Sequence, residues 1–229
     1  MAQPQLILMP GMDGTGLLFR PLLAALRALR PDLSARALSY PMEELDYEAL
    51  QTRLAPEIAD LGPHVLVAES FSGPLALRLA GPQTRGVVLA ATFVRTPVDA
   101  RLESLVRPAM FELRFHGPAL RAMLVGWDAS AELVEEVAAT ITSVPASVLA
   151  HRLRAILRVD ARPDLERLKA PLVYLHAERD RTLGASALRD LLAQRPELEV
   201  HRLDAPHLAL QTRAEDCARL LVELVERWR

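Results

Sequence analysis

Residues 65–73 read Val-Leu-Val-Ala-Glu-Ser-Phe-Ser-Gly, a short β-branched run that passes directly into a serine. The run has the length and composition of a buried strand, and the residues beyond it start a helical pattern. A serine held between strand and helix takes a strained backbone conformation, and small residues two before and two after it let the two elements approach. Ala68 and Ser72 meet that need around Ser70. They stand where G-x-S-x-G has glycines, so the strict motif is not matched. The same residues also fit an ordinary buried strand that ends in a serine N-cap.

Two more segments repeat the pattern of an apolar run followed by a polar side chain. After Pro171 to Ala177 comes Glu178-Arg179-Asp180-Arg181, an acid just past a predicted strand. After Leu198 to Leu203 comes Asp204-Ala205-Pro206-His207, a histidine just past the next. The chain order is Ser70, Asp180, His207, with each residue at a strand end where a rigid sheet can hold it. In that constellation Ser70 attacks a carbonyl and His207 takes its proton. Asp180 fixes the imidazole tautomer and stabilises the imidazolium. The other histidines fit less well: His176 and His201 lie inside predicted strands, His64 opens one, and His116 and His151 fall in a helical region. Glu178 and Asp204 are the competing acids, but Asp204 is too near His207 in sequence and Glu178 is at the strand's edge. Ser72 is a poor nucleophile candidate because Pro74 stands where a small residue is needed.

Near the start, Gln5 to Met9 reads as a buried strand that runs into Pro10-Gly11-Met12-Asp13-Gly14-Thr15-Gly16. Glycines at 11, 14 and 16 do not match G-x-G-x-x-G, and no Gly-Lys-Ser/Thr follows, so a phosphate loop is disfavoured. With these four segments the chain resembles the α/β-hydrolase superfamily, which uses the order Ser, acid, His. That resemblance implies that the loop after the first core strand donates a backbone N–H to an oxyanion hole. Met12 would be that donor and Phe71 the second, although Pro10-Gly11 replaces the more common His-Gly. Backbone supplies the interaction, so the side chains are free to vary.

Strand and helix alternate along the chain: strand 5–9, helix 17–30, strand 35–40, helix 46–60, strand 64–69, helix 72–80 and strand 86–93. The series resumes with strand 171–177, helix 185–194, strand 198–203 and a helix from about 213 to the end. Alternation of this kind predicts an α/β fold, a mostly parallel sheet of roughly six strands with helices on both faces. Asp46 is a candidate N-cap, and Thr212-Arg213-Ala214-Glu215 reads as a capping box for the last helix. Between Thr96 and Asp164 only helical patterns occur, near 100–115, 118–125, Ser130 to Thr142 and Pro145 to Arg158. The resemblance predicts a helical cap there, giving a hydrolase core of residues 1–95 and 165–229 and a cap of 96–164. Met110, Phe111, Phe115, Met123, Leu124 and Trp127 would give the cap an apolar inner face suited to an acyl or alkyl group, and packing of cap on core accounts for them equally.

Composition narrows the function classes. With 229 residues, 51% hydrophobic and 24% charged, the chain is globular. A net charge of −2 gives no field for nucleic acid or an anionic membrane. No stretch approaches ~18 continuous apolar residues, and Met1-Ala2-Gln3-Pro4 lacks a signal's basic start, so a cytoplasmic protein is expected. Cys217 is the lone cysteine, on an apolar stripe with Leu220, Leu221, Leu224 and Trp228, and is expected in the core. No ligand set at metal spacing occurs, and neither metal nor cofactor is expected.

The leading expectation is a serine esterase that forms an acyl-enzyme on Ser70, with a small-molecule ester or acyl compound as substrate. Acyl transfer on the same triad is the second, and a catalytically silent hydrolase fold binding a ligand or partner the third. The segment from Leu153 to Asp160, followed by Arg162, Leu165 and Leu168, is similar to the cap-to-core return of the pimeloyl-carrier methyl esterase group. That similarity implies an acyl carrier protein as partner. On the helix from Pro145 to Arg158 the apolar stripe is Leu149, Leu153, Ile156 and Leu157. His151, Arg154 and Arg158 fall on another, exposed face, which is either a plain solvated face or, as the resemblance allows, where Arg154 and Arg158 would meet such a carrier.

Overall fold

The computed structural model describes residues 3–96, 99–112 and 117–229. Six strands form one sheet: β1 (Gln5–Met9), β2 (Ala35–Ala37), β3 (His64–Glu69), β4 (Thr84–Ala90), β5 (Leu172–Ala177) and β6 (Glu199–Leu203). Their order is β2-β1-β3-β4-β5-β6 and every adjacent pair is parallel. Parallel neighbours need a crossover, and helices supply it.

Alternation of side chains along the strands divides the core in two. Leu6 and Leu8, Val65 and Val67, Val88 and Ala90, and Val173 and Leu175 face α1 (Arg20–Leu29) and α11 (Ala214–Arg227). Ile7 and Met9, Leu66 and Ala68, Val87 and Leu89, and Tyr174 face α2 (Tyr47–Ala59) and α3 (Ser72–Leu79). Cys217 is fully buried in the first layer. In the same layer Trp228 packs on β4: a Cβ at Gly86 would stand 2.1 Å from the indole.

The edge strand β2 is shorter than the expected 35–40. Leu38 still donates to Leu8 O at 2.8 Å, but Tyr40 N turns away and bonds Gly14 O at 2.7 Å. Gly16, at φ 73°, sits so close that a Cβ would meet Leu38 O at 2.4 Å. The end of β2 is thus given over to bracing the glycine loop. Asp46 caps α2 as expected, accepting from Ala49 N at 2.9 Å. The capping box at 212–215 is not formed. Thr212 closes a short helix, α10 (Ala209–Thr212), and its hydroxyl donates back to Leu208 O at 2.8 Å, which leaves Arg213 as an N-cap without a side-chain bond.

Between β4 and β5 the described residues are helical. The helix expected over 100–115 is a 3₁₀ turn, Ala100–Leu105, then α4 (Ala109–Glu112), with Pro108 at the break. After α5 (Gly117–Leu120) comes a π turn, Arg121–Val125, ended by Gly126 at φ 80°. The longer α6 (Ala131–Ser143), capped by Ser130, and α7 (Ala146–Arg158) match the expected pair. Helix α8 (Arg162–Arg167), which the sequence reading did not anticipate, leads into β5, and α9 (Gly184–Gln194) joins β5 to β6. Among the described residues no single helix is long and apolar enough to cross a membrane, and the one pair that together reaches that length, α6 with α7, is bent by 95°.

Candidate active site

Ser70 stands at the end of β3 with φ 50°, a left-handed conformation that non-glycine residues rarely adopt. Strain of this kind persists only where the surroundings hold it, and here they do. Ser70 N donates to Ala90 O at 3.0 Å and its carbonyl accepts from Gly73 N at 3.2 Å. The same carbonyl takes the Thr92 hydroxyl, while Thr92 O accepts from Tyr174 Oη at 2.9 Å. The tight approach falls at Gly73, where a Cβ would lie 2.1 Å from Thr92 Oγ1. Ser72, the small residue singled out in the sequence, is fully buried and hydrogen-bonds Pro10 O and the Tyr40 hydroxyl. It ties α3 to the glycine loop and is remote from a nucleophile's duties.

His207 Nε2 lies 2.9 Å from Ser70 Oγ, and its Nδ1 lies 2.8 Å from Asp180 Oδ2. Asp180 Oδ1 accepts the backbone N–H groups of Thr182 at 2.7 Å and Leu183 at 3.2 Å. Burial alone would raise this carboxyl, but the hydrogen bond and charge of His207 together with those two N–H groups hold it below the ordinary aspartate value. The competing residues are engaged elsewhere. Glu178 faces Arg202 at 3.9 Å and Asp204 pairs with Arg179 at 2.6 Å. His64 bonds Gly62 O and Thr84 Oγ1, His201 bonds Glu199, and His151 faces Glu44 at 3.8 Å. His116 lies outside the described residues.

Two features were not visible as site elements in the sequence. Glu69, directly before Ser70, is buried, and its Oε2 accepts from Gln211 Nε2 at 3.0 Å. Neither Glu69 Oε1 nor Gln211 Oε1 has a partner. Burial pushes the Glu69 carboxyl up to about 7, against the smaller downward pull of Gln211 and His207. The other is Arg152 on α7, fully buried and bonded to the glycine loop. Its spacing of three from Leu149 and four from Ile156 puts it on the apolar stripe, which is the signal that could have found it.

The helical insert bears on three of the segments that carry the site, the acid, histidine and glycine loops. Thr182 Oγ1 donates to Met123 O at 2.9 Å, Leu208 N to Leu124 O at 2.9 Å, and Arg152 reaches Met12 O at 3.0 Å. Phe111 and Met12 pack on one cluster with Val144, Val148 and Leu149. Met110, Met123 and Trp127, expected on an inner face, are 51%, 46% and 63% exposed. Phe115 lies outside the described residues. Arg154 donates to Val106 O at 2.9 Å and Arg158 to Glu103, so both reach back to the start of the insert. Neither Met12 N nor Phe71 N, the two expected oxyanion donors, donates to another described group. Among the described residues no cluster of His, Cys, Asp and Glu could hold a metal ion.

A parallel sheet with a serine on a strained strand-to-helix turn, and an acid and a histidine after its last two strands, defines the architecture of an α/β-hydrolase. The chain belongs to the alpha/beta hydrolase family, whose pattern it matches over residues 6–220. Among similar solved structures is the enol-lactonase from Burkholderia xenovorans LB400, with 16% identity and a TM-score of 0.76 over 99% of this chain and 92% of that one. A thermophilic esterase from Thermogutta terrifontis shares 20% identity at a TM-score of 0.76, covering 99% of this chain and 90% of its own. The esterase EaEST from Exiguobacterium antarcticum shares 13% at 0.78, covering 97% and 92%. At these identities the likeness is one of fold. No curated protein matches the sequence.

Proposed function

We propose that the chain is a serine hydrolase of carboxylic esters, working through an acyl-enzyme on Ser70. The observation that carries this reading is the single imidazole of His207 within hydrogen-bond reach of both Ser70 Oγ and Asp180 Oδ2. As Ser70 Oγ adds to the ester carbonyl, its proton passes to His207 Nε2 and the carbonyl oxygen becomes an oxyanion. Met12 N–H and Phe71 N–H receive that charge. Collapse expels the alcohol, which takes the proton from His207, and water then repeats the sequence to release the acid. Asp180 keeps Nδ1 protonated throughout. Esterases and an enol-lactonase among the structural relatives support an acyl-transfer chemistry. The test is hydrolysis of short p-nitrophenyl esters by the wild-type chain and by Ser70→Ala and His207→Ala. Each substitution should lower kcat by about 10⁴-fold or more while the fold persists. Retention of more than about a tenth of the activity by Ser70→Ala would contradict the nucleophile.

A further inference from the structure

Helix α7 places a cation in the middle of the packed layer beneath the insert. Arg152 is 0% exposed, yet every hydrogen bond of its side chain leaves the helix, and its buried Nε has no partner. Its Nη1 donates to Met12 O at 3.0 Å and Asp13 O at 2.7 Å, and its Nη2 to Pro41 O at 2.8 Å. Gly14, at φ 69°, lies so close that a Cβ would meet Nη1 at 2.4 Å. The Tyr40 ring is 5.9 Å from the guanidinium carbon, and the Tyr40 hydroxyl in turn meets Ser72. An apolar side chain of similar volume would fill this space without the desolvation penalty of a buried guanidinium. What the arginine adds is a rigid fork of donors that joins Pro41 O on one side to the glycine loop on the other.

That loop carries the proposed oxyanion donor. The Gly11 carbonyl shares a peptide plane with Met12 N–H, and it accepts Gly14 N at 3.0 Å. Because a trans peptide points its C=O and N–H in opposite directions, the turn at 11–14 sets the aim of Met12 N–H. Arg152 holds the next two carbonyls, so both peptide planes around Met12 are fixed, one by the turn and one by the insert. We infer that Arg152 is a positioning residue for the oxyanion hole, and that the hole is complete only when α7 is docked. The inference rests on the proposed ester hydrolysis. A guanidinium a peptide unit away from the donor also favours the negative charge that develops there.

The closing experiment compares wild type, Arg152→Met, which keeps bulk without donors, and Arg152→Lys, which keeps the charge with fewer donors. Three quantities are read: kcat and KM on a p-nitrophenyl ester, inhibition by a trifluoromethyl ketone that forms a tetrahedral oxyanion on Ser70, and amide hydrogen exchange by mass spectrometry. Arg152→Met should lower kcat about 10- to 100-fold with KM within about threefold, and weaken the ketone by a matching factor. Exchange should accelerate across 11–14 and not in β3 or β4. Arg152→Lys should recover part of each loss, and it carries the same test should the methionine variant not fold. Unchanged kcat and ketone affinity in a folded variant would overturn the inference, as would faster exchange spread evenly over the chain. A wild-type chain inert to ester and ketone would instead refute the proposed function, and the exchange measurement would still report whether Arg152 fixes 11–14.

Discussion

Glu69 Oε2 accepts a hydrogen bond from Gln211 Nε2 at 3.0 Å, joining the residue before the candidate nucleophile to a residue four past the candidate base. Both partners keep one buried oxygen without a donor. Protonation of Glu69 supplies a donor, which is consistent with a carboxyl that burial raises to about 7. A carboxyl whose folded value lies above its unfolded value binds more protons when folded. Its effect on stability is therefore most favourable in acid and falls as pH rises from about 4.5 to 7. Glu69→Gln should remove that dependence and be the more stable protein at pH 8, by on the order of 3 kcal/mol at most. Urea denaturation at pH 5 and pH 8 checks this, and an identical pH dependence in the two proteins would show that folding does not raise the Glu69 carboxyl.

Asp180 works in the other direction. Its folded value is depressed, so the stability it contributes is present above the unfolded aspartate value and is lost as pH falls through the lower folded one. On activity the residue should separate cleanly from its neighbour. Asp180→Asn should cut kcat by about 10²- to 10⁴-fold, since the amide favours the wrong tautomer of His207. Glu178→Gln, at a carboxylate that faces Arg202, should stay within about threefold. A steady-state assay in which the glutamate change is the damaging one would reassign the acid.

Gly73 controls how closely α3 approaches β4. A methyl group there would lie 2.1 Å from Thr92 Oγ1, and the Thr92 hydroxyl holds Ser70 O. Gly73→Ala should lose about 1–3 kcal/mol of stability and reduce the reactivity of Ser70. Combined with Thr92→Gly, it should cost less than the two single changes together, because the second substitution removes the atoms it strikes. Strict additivity in thermal unfolding would mean that the contact is relieved some other way.

Chain order made much of this legible. The apolar runs before Ser70 and Asp180 report their own strand ends, because a buried parallel strand needs a continuous hydrophobic stretch, whereas the edge strand before His207 is half-exposed and is marked by alternation alone. The parts that were not legible depend on contacts distant in sequence. Thr212 reads as a helix cap until α10 takes its hydroxyl, and β2 reads as six residues until Gly16 claims Leu38. The position of Arg152 on the apolar stripe of its helix marks it as buried, but no local rule tells a guanidinium that three carbonyls wait 111 to 140 residues away. Glu69 is hidden for a related reason: its partner Gln211 is 142 residues further on.

The central claim is that His207 activates Ser70 as a nucleophile. A fluorophosphonate probe followed by peptide mass spectrometry tests it without any knowledge of the natural substrate. The account predicts a single adduct per chain, on Ser70, formed rapidly by the wild type and slowed by about 10³-fold or more in His207→Ala. An unlabelled chain, an adduct on Ser72 or another serine, or equal labelling with and without His207 would contradict it.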